Sequence, residues 1–520
     1  MFIITNLIEM NIFFPGKSQS KSQKVVIKDG IAVFPDSGLQ DKAHVYKKGN
    51  DIYSVVLNLV DLNTNKNSYY KMQLLQDDRN GQLFTLFKSW GRIGTEVGKN
   101  KIETYSSLTL AIAAFKRIYY ERTLNLWCDR HHFVKHPNSY YPVEIDYNDK
   151  GESSQVIKIE ESTSLLPLPV KELIVLLFDI QNIKRTMLEF ELDLEKMPLG
   201  KLSKKRILDA CEALKYISNL LKQKPVPQNE LVGACNKFYS LVPHNFGMEK
   251  PPLIISQNMV AKKNEMLESL LEIELTYEII SNNDNSNKNE DLIDYNYRKL
   301  KAEILPIDRN DDDFKLIEKY IENTHAKTHN FYTLEIINIF RLNREGEAER
   351  FSKYKNNSNR MLLWHGSRLT NFVGIISQGL RIAPKEAPVS GYMFGKGVYF
   401  ADSVSKSANY CYTCSDNSIG LLALSEVAIG NSKELVNAEY IKELPENYQS
   451  VKGIGQSHPN PKEMVITKDG VKIPLGKMIQ NTKPDNQHLS LLYNEYIVYS
   501  EEQINMKYLI QVRFNYKNLF

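Results

Sequence analysis

The chain has 520 residues and a mass of 60.0 kDa, enough for roughly three domains of about 150 residues each. Apolar residues make up 42% and charged residues 25%, which excludes collagen, a disulfide-stapled miniprotein and a wholly disordered chain. The net charge is only +4, yet residues 1–150 hold 20 Lys and Arg against 15 Asp and Glu, leaving −1 on the remaining 370; a basic first third on a near-neutral body points to a localised polyanion site.

The first segment, Met1 to Pro15, is apolar but interrupted by Asn6, Glu9 and Asn11. It lacks a basic n-region and a small-residue cleavage site, so no signal peptide is expected. Lys17, Lys21 and Lys24 read as a solvated tail before a nuclear address, and residues 1–24 are expected to be disordered. No run of about 18 apolar residues occurs, so no membrane span and no membrane partner are expected. Cys128, Cys211, Cys235, Cys411 and Cys414 form a sparse, odd set in a long chain, which argues for a reducing compartment.

Residues 25–147 are rich in Tyr, Val and Thr. Alternating runs such as Tyr53–Val60 read as strands separated by Asn, Asp and Gly turns. One helix is expected over Leu108–Arg122. Residues 160–280 carry apolar positions at helical spacing. Ile207, Ala210, Cys211, Leu214, Ile217 and Leu221 share one helix face, with Ser203 as its N-cap. A second helix begins near Lys262 and carries Met266, Leu267, Leu270, Leu271 and Ile273, with Glu265, Glu268 and Glu272 on another face. The polar stretch Ser281–Glu290 cannot bury apolar surface and predicts a linker over residues 281–291. Residues 292–520 mix both textures. Tyr493–Tyr499 and Ile510–Phe514 read as strands, and the region predicts an α+β domain on antiparallel sheets.

Common nucleotide and nucleophile fingerprints fail. No Gly-x-Gly-x-x-Gly follows a strand, Gly391–Lys396 is one residue short of a P-loop, and no Gly-x-Ser-x-Gly occurs. Cys411 and Cys414 lack a second ligand pair, and Cys128, His131, His132 and His136 read as a basic rim, so no metal is expected. Two segments stand out: Leu363-Trp-His-Gly-Ser-Arg368, and Gly391 to Asp402 running on to Tyr410. Gly366, Gly395 and Gly397 let backbone approach a ligand closely. Tyr392, Tyr399 and Tyr410 offer flat faces for a heteroaromatic ring, and Ser367 and Ser407 offer hydroxyls. A Gly- and Tyr-rich hairpin with core aromatics is the alternative for either segment alone.

Over residues 25–520 these features resemble a DNA-dependent poly(ADP-ribose) polymerase of the short type, without zinc fingers. Trp90-Gly-Arg92 is similar to the signature of the family's WGR domain. Pro198–Leu202 and Pro243–Gly247 are similar to its helical regulatory domain. His365-Gly-Ser367, Gly391–Tyr410 and Leu491–Tyr499 are similar to its catalytic domain. The resemblance implies a small mixed, β-rich α+β WGR domain over 25–147, an all-α regulatory domain over 160–280, and an α+β ADP-ribosyltransferase domain with antiparallel sheets over 292–520. It implies NAD+ as a substrate, consumed with release of nicotinamide and without a metal.

By the same resemblance, Glu495 is the catalytic glutamate, His365 and Tyr399 complete the polymerase-type catalytic combination with it, and Lys406 lies beside the reacting ribose. Gly366 and Ser407 bond the nicotinamide amide, Tyr410 stacks on its ring, and Tyr399 lines that pocket. His365, Ser367, Asn371 and Arg381 surround the adenosine half, and Met393 and Tyr493 face the acceptor. Trp90 and Arg92 are expected at a 5′-phosphorylated DNA end, Arg92 as a bidentate phosphate contact, with Lys88, Lys99, Lys101, Lys116, Arg117 and Arg122 as nonspecific contacts. Implied partners are DNA strand breaks, acceptor proteins including the chain itself and histones, and an accessory factor completing the acceptor site. The implied location is the nucleus. A transferase adding single units and a catalytically dead DNA-end scaffold are the alternatives; Glu495, His365 and Tyr399 together favour chain elongation.

Overall fold

The computed structural model describes residues 27–28, 31–49, 51–143, 158–192, 202–281, 290–481 and 489–517. The tail with Lys17, Lys21 and Lys24, residues 198–201 of the Pro198–Leu202 motif and most of the Ser281–Glu290 stretch lie outside the described residues.

In the first domain the strands Tyr141–Val143, Ser54–Asp61, Lys66–Asp77, Phe84–Arg92 and Gly98–Tyr105 pair in that order, all antiparallel, with Ala43–Val45 also on Lys66–Asp77. The helix Leu108–Thr123 lays Ala111, Phe115, Ile118 and Tyr119 on one sheet face. Phe115 and Tyr119 meet the Trp127 ring edge-on, each with centroids 4.9 Å apart.

Every residue of Ser54–Asp61, within the run read as an alternating strand, is buried. The reason lies in the next domain. Val60 and Leu62 belong to the helical core, and Asn58 Nδ2 donates to the carbonyls of Tyr239 and Ser240.

That second domain is a bundle of Leu168–Leu177, Ile180–Glu189, Lys204–Leu220, Gln228–Leu241 and Gln257–Ser281. Ser203 caps Lys204–Leu220, its side chain accepting from the Arg206 amide at 3.4 Å. The long helix begins at Gln257, ahead of the expected Lys262, because Ser256 Oγ accepts from the Met259 amide at 3.2 Å and opens the helix earlier. Leu292–Lys299, beyond the linker stretch, packs back on Leu168–Leu177.

The third domain joins two main sheets. The larger runs Ala302–Pro306, Tyr332–Arg344, Ile504–Tyr516, Ile419–Ala428, Arg360–Gly366, Val471–Ile473 and Val465–Ile466. The smaller runs Val398–Phe400, Glu495–Val498, Ser450–Gly453 and Ser432–Leu435. Three helix- and sheet-rich units of these kinds are the expected fold class, with the sheets mainly antiparallel. One expectation is corrected. Tyr493–Tyr499 is not one strand: it breaks at Asn494 into Leu491–Tyr493, which pairs with Gly455–Pro459, and Glu495–Val498 in the smaller sheet. Asn494 side-chain bonds replace the ladder there.

Candidate active site

A backbone bridge joins the two main sheets. Trp364 and Ala401 exchange both backbone hydrogen bonds at 2.9 Å. That bridge sets the end of Arg360–Gly366 beside Val398–Phe400, so His365 Nδ1 meets the Tyr399 carbonyl at 2.9 Å. A carbonyl only accepts, so Nδ1 carries the proton. Burial holds the ring's pKa below its usual value, and a neutral His365 therefore presents Nε2 as an acceptor.

The short helix Val404–Ala408 follows and packs on the same strand. Ser407 is buried, with Oγ donating to the Trp364 carbonyl at 3.1 Å. A side chain at Gly366 would lie 1.9 Å from the Ser407 carbonyl oxygen, so only glycine allows this close approach. The polar groups of this floor, backbone and the Ser407 hydroxyl, suit a planar amide.

From the same helix Lys406 reaches across to the neighbouring strand. Its Nζ lies 2.8 Å from Glu495 Oε1 and 3.0 Å from the Tyr493 carbonyl. The two side chains are only 14% and 12% exposed. Burial pushes the Lys406 ammonium down, and Glu495 beside it opposes that shift. A carboxylate kept here against an ammonium can accept a hydroxyl proton or face a developing positive charge.

Tyr399 donates to the Gly395 carbonyl at 2.8 Å and accepts from the Phe394 amide at 3.0 Å, tying the glycine loop to the sheet. Tyr410 stays 51% exposed at the rim, leaving its ring free to cover a ligand. Met393 packs beside Tyr399 against the small core around Phe394 and Ile497. Tyr493 is buried, its hydroxyl bonded to Thr328 Oγ1 and its ring 5.3 Å from His329. Tyr392, expected as a stacking face, is held by its hydroxyl. Its hydroxyl bonds Glu268 and Asn264 of the long helix.

On the other side, Asn371 Nδ2 donates to Ser367 Oγ at 2.9 Å, and the buried Asn371 Oδ1 has no partner among the described residues. Arg381 donates to Gln378 Oε1 at 2.7 Å and to Glu272 Oε1. The acids of the long helix therefore touch this side of the site directly, and Arg368 adds a bond to Glu189 at 2.7 Å. Residues not anticipated from sequence include Asp402 and Asn494, which hold the Glu495 strand, and His329, whose Nδ1 meets Ser405 Oγ at 2.8 Å. Asn494, adjoining Glu495, carried the one signal: an amide inside a strand-like run.

Comparison with known families places a Poly(ADP-ribose) polymerase catalytic domain over residues 311–514, a Poly(ADP-ribose) polymerase regulatory domain over 164–297, and a WGR domain over 53–134. The chain belongs to the poly(ADP-ribose) polymerase family. It is 48% identical over 504 residues to "Poly [ADP-ribose] polymerase 1" of Gallus gallus, covering 97% of this chain and 49% of that protein. It is 49% identical over 504 residues to "Poly [ADP-ribose] polymerase" of Sarcophaga peregrina, covering 96% and 50%. To "Poly [ADP-ribose] polymerase 1" of Danio rerio it is 48% identical over 505 residues, covering 96% and 49%. The chain spans about half the length of these relatives.

The signature of the WGR domain sits on an interface. Trp90 is half-buried and stacks on Tyr70 with centroids 5.9 Å apart. Arg92, expected at a phosphate, here bonds main-chain carbonyls. Its Nε donates to the Gly247 carbonyl and one Nη to the Glu249 carbonyl, each at 2.7 Å, and the other Nη to the Asn65 carbonyl at 2.7 Å. The guanidinium is thereby used on the regulatory-domain motif Pro243–Gly247 and the loop after it. Lys88 is likewise corrected: it is buried and paired with Glu103 at 2.8 Å, where Lys101 joins it. The two ammonium groups, Lys101 foremost, hold the Glu103 carboxyl down to about 2. Lys99, Lys101, Lys116, Arg117 and Arg122 are exposed. Among the described residues no group of three His, Cys, Asp or Glu side chains is arranged to hold a metal ion, and Cys128, His131 and His132 are exposed.

Proposed function

We propose that this chain is a DNA-break-activated poly(ADP-ribose) polymerase of the nucleus. It transfers ADP-ribose from NAD+ to protein acceptors and to the growing chain, and it releases nicotinamide. The observation that carries the reading is the Lys406–Glu495 contact at 2.8 Å, set opposite His365 and Tyr399 on adjoining strands. In this reading the Gly366 backbone and Ser407 hydroxyl take the carboxamide, and Tyr399 and Tyr410 enclose the ring. His365 accepts from the adenosine ribose through Nε2. Asn371, through its unpartnered Oδ1, Ser367 and Arg381 hold the adenosine half.

Cleavage of the nicotinamide bond leaves an oxocarbenium-like ribose. Glu495 faces that charge and orients the adjoining ribose hydroxyl. It then polarises the incoming acceptor hydroxyl, which is itself a ribose hydroxyl during elongation. Lys406 holds Glu495 aimed at the site, and Met393 and Tyr493 border the acceptor side.

The regulatory domain restrains this site. Glu272 engages Arg381, Glu268 engages Tyr392, and Glu189 engages Arg368. DNA held by the WGR domain at Trp90 and its exposed basic rim loosens those contacts through the Arg92 seam. A bias of about 5.5 kcal/mol would carry such a two-state balance from 1:99 to 99:1. Acceptors include the chain itself and histones, with an accessory factor completing the acceptor side.

The test is to incubate the full chain with labelled NAD+, with and without 5′-phosphorylated nicked DNA, and to size the product on a gel. Long, DNA-dependent polymer is expected, and Glu495→Gln is expected to abolish it while NAD+ hydrolysis or single-unit transfer persists. Single units from the wild type would support mono-ADP-ribosylation, and no product would support a scaffold.

A further inference from the structure

Three residues in a row, Asn494, Glu495 and Tyr496, are held from both sides by one short segment of chain. Side chains alternate across a strand, so Asn494 and Tyr496 leave the side opposite to Glu495. Both reach the same atom. Asn494 Nδ2 donates to Asp402 Oδ2 at 2.8 Å, and the Tyr496 hydroxyl donates to it at 3.0 Å. Asp402 is 2% exposed, Asn494 4% and Tyr496 4%, so these bonds are made away from water. One turn later in the same segment, Lys406 takes Glu495 Oε1 at 2.8 Å.

The segment itself is anchored. Ser403 Oγ donates to the Thr324 carbonyl at 2.9 Å and the Val404 amide to Thr324 Oγ1 at 3.2 Å. Asn494 also works on its other side: its Oδ1 accepts from the Gly455 amide at 2.9 Å, at the point where the strand leaves one sheet for the next. Gly455 lies so close to the Tyr493–Asn494 peptide that a side chain would come within 2.2 Å of it.

The geometry points to Asp402 as a positioning residue for Glu495. It clamps the two flanking residues so that the carboxylate between them can face only the site. This inference rests on the proposed role of Glu495. Without Asp402, Asn494 and Tyr496 each leave a buried donor unpaired, and the strand is free to turn about the break at Asn494. Reactions that need the carboxylate placed to a fraction of an ångström then suffer, while the amide pocket keeps its own anchors: Gly366 on the larger sheet, and Ser407, on the helix after Asp402, through its bond to the Trp364 carbonyl.

The experiment compares Asp402→Ala, Asp402→Asn, Asn494→Ala and Glu495→Gln in the full chain with nicked DNA. Asp402→Ala is expected to lower kcat for polymer about 10-fold to 100-fold, the scale of an ångström-sized misplacement. The KM for NAD+ and the inhibition constant of benzamide, a nicotinamide-shaped amide, stay within about twofold. Asp402→Asn keeps an acceptor oxygen for both donors and recovers most of the loss. Asn494→Ala gives the same split from the other end of the contact, and it carries the test if Asp402→Ala does not fold.

Wild-type kcat in either folded alanine variant overturns the inference. So does a benzamide constant that weakens in step with kcat, or loss of fold in both alanine variants, either of which assigns the pair to stability alone. Long polymer from Glu495→Gln would instead remove the underlying reading of Glu495. Loss of polymer in Glu495→Gln but not in the alanine variants leaves that reading standing and refutes only the role of Asp402.

Discussion

Arg92 donates through Nε to the backbone carbonyl of Gly247 at 2.7 Å, from the WGR domain into the regulatory domain. Neighbouring bonds cross the same seam in both directions: Asn67 Nδ2 to the His244 carbonyl at 3.0 Å, and Arg206 of the bundle back to the Pro142 carbonyl at 2.7 Å. A charged donor bonded to carbonyls contributes about 1.5–3 kcal/mol, so this seam can transmit a displacement of the WGR domain. Arg92→Ala is therefore expected to change affinity for a 5′-phosphorylated nick by less than about twofold, while DNA-stimulated activity falls about tenfold, a loss of roughly 1.4 kcal/mol in coupling. Anisotropy titrations alongside activity assays check this. A tenfold loss of affinity with stimulation intact would return Arg92 to the DNA.

Ser407 donates to the Trp364 carbonyl, and the same hydroxyl lies on the floor beside Gly366. In Ser407→Ala a bound carboxamide loses that partner, at a cost of about 1–3 kcal/mol, or roughly one to two decades in affinity. Inhibition by benzamide should weaken by that amount, measured by titration at fixed NAD+. An unchanged constant would move the amide elsewhere.

Glu272 occupies Arg381, a residue the proposed NAD+ site needs. Burial pushes the Glu272 carboxyl up, and Arg381 opposes the shift, so the contact depends on both partners. Glu272→Ala frees Arg381 and opens space beside Gly374, where a glutamate oxygen now crowds the backbone. Activity without DNA is expected to rise about tenfold or more, from the loss of a charged hydrogen bond, and the KM for NAD+ without DNA to fall. Unchanged basal activity would show that this contact is not the restraint.

The Glu268–Tyr392 contact makes the restraint sensitive to pH. Burial pushes the Glu268 carboxyl up from 4.5 to about 7. When the helix lets go, the carboxyl returns to its ordinary value, so the docked form binds the extra proton between those limits. Docking is then fully supported below about 4.5 and loses that support as pH rises to about 7, with no further change above. Protection factors in Gln257–Ser281 without DNA, which divide out the base catalysis of exchange itself, should be lower at pH 8 than at pH 6. Glu268→Gln should flatten that difference; a difference that persists in the variant would assign it to another group.

The sequence by itself determined what depends on short spacing. A serine ahead of an apolar stripe placed the cap at Ser203, the helix expected over Leu108–Arg122 forms over Leu108–Thr123, and the texture of each third distinguished a sheet-rich, a helical and a mixed unit. Tertiary structure decided what depends on partners far along the chain. Arg92 and Gly247 are 155 residues apart, Asp402 and Asn494 92, and Glu272 and Arg381 109. An exposed-looking arginine, a buried lysine at 88 and a strand that breaks at Asn494 carry no local mark. A long charged side chain bonds whatever donor or acceptor the fold brings within reach, and a strand continues only where the next sheet offers it a ladder. Ser54–Asp61 reads as a half-buried strand for the same reason: its second face is covered by a helix more than 160 residues later, and nothing in the strand's own pattern announces that cover.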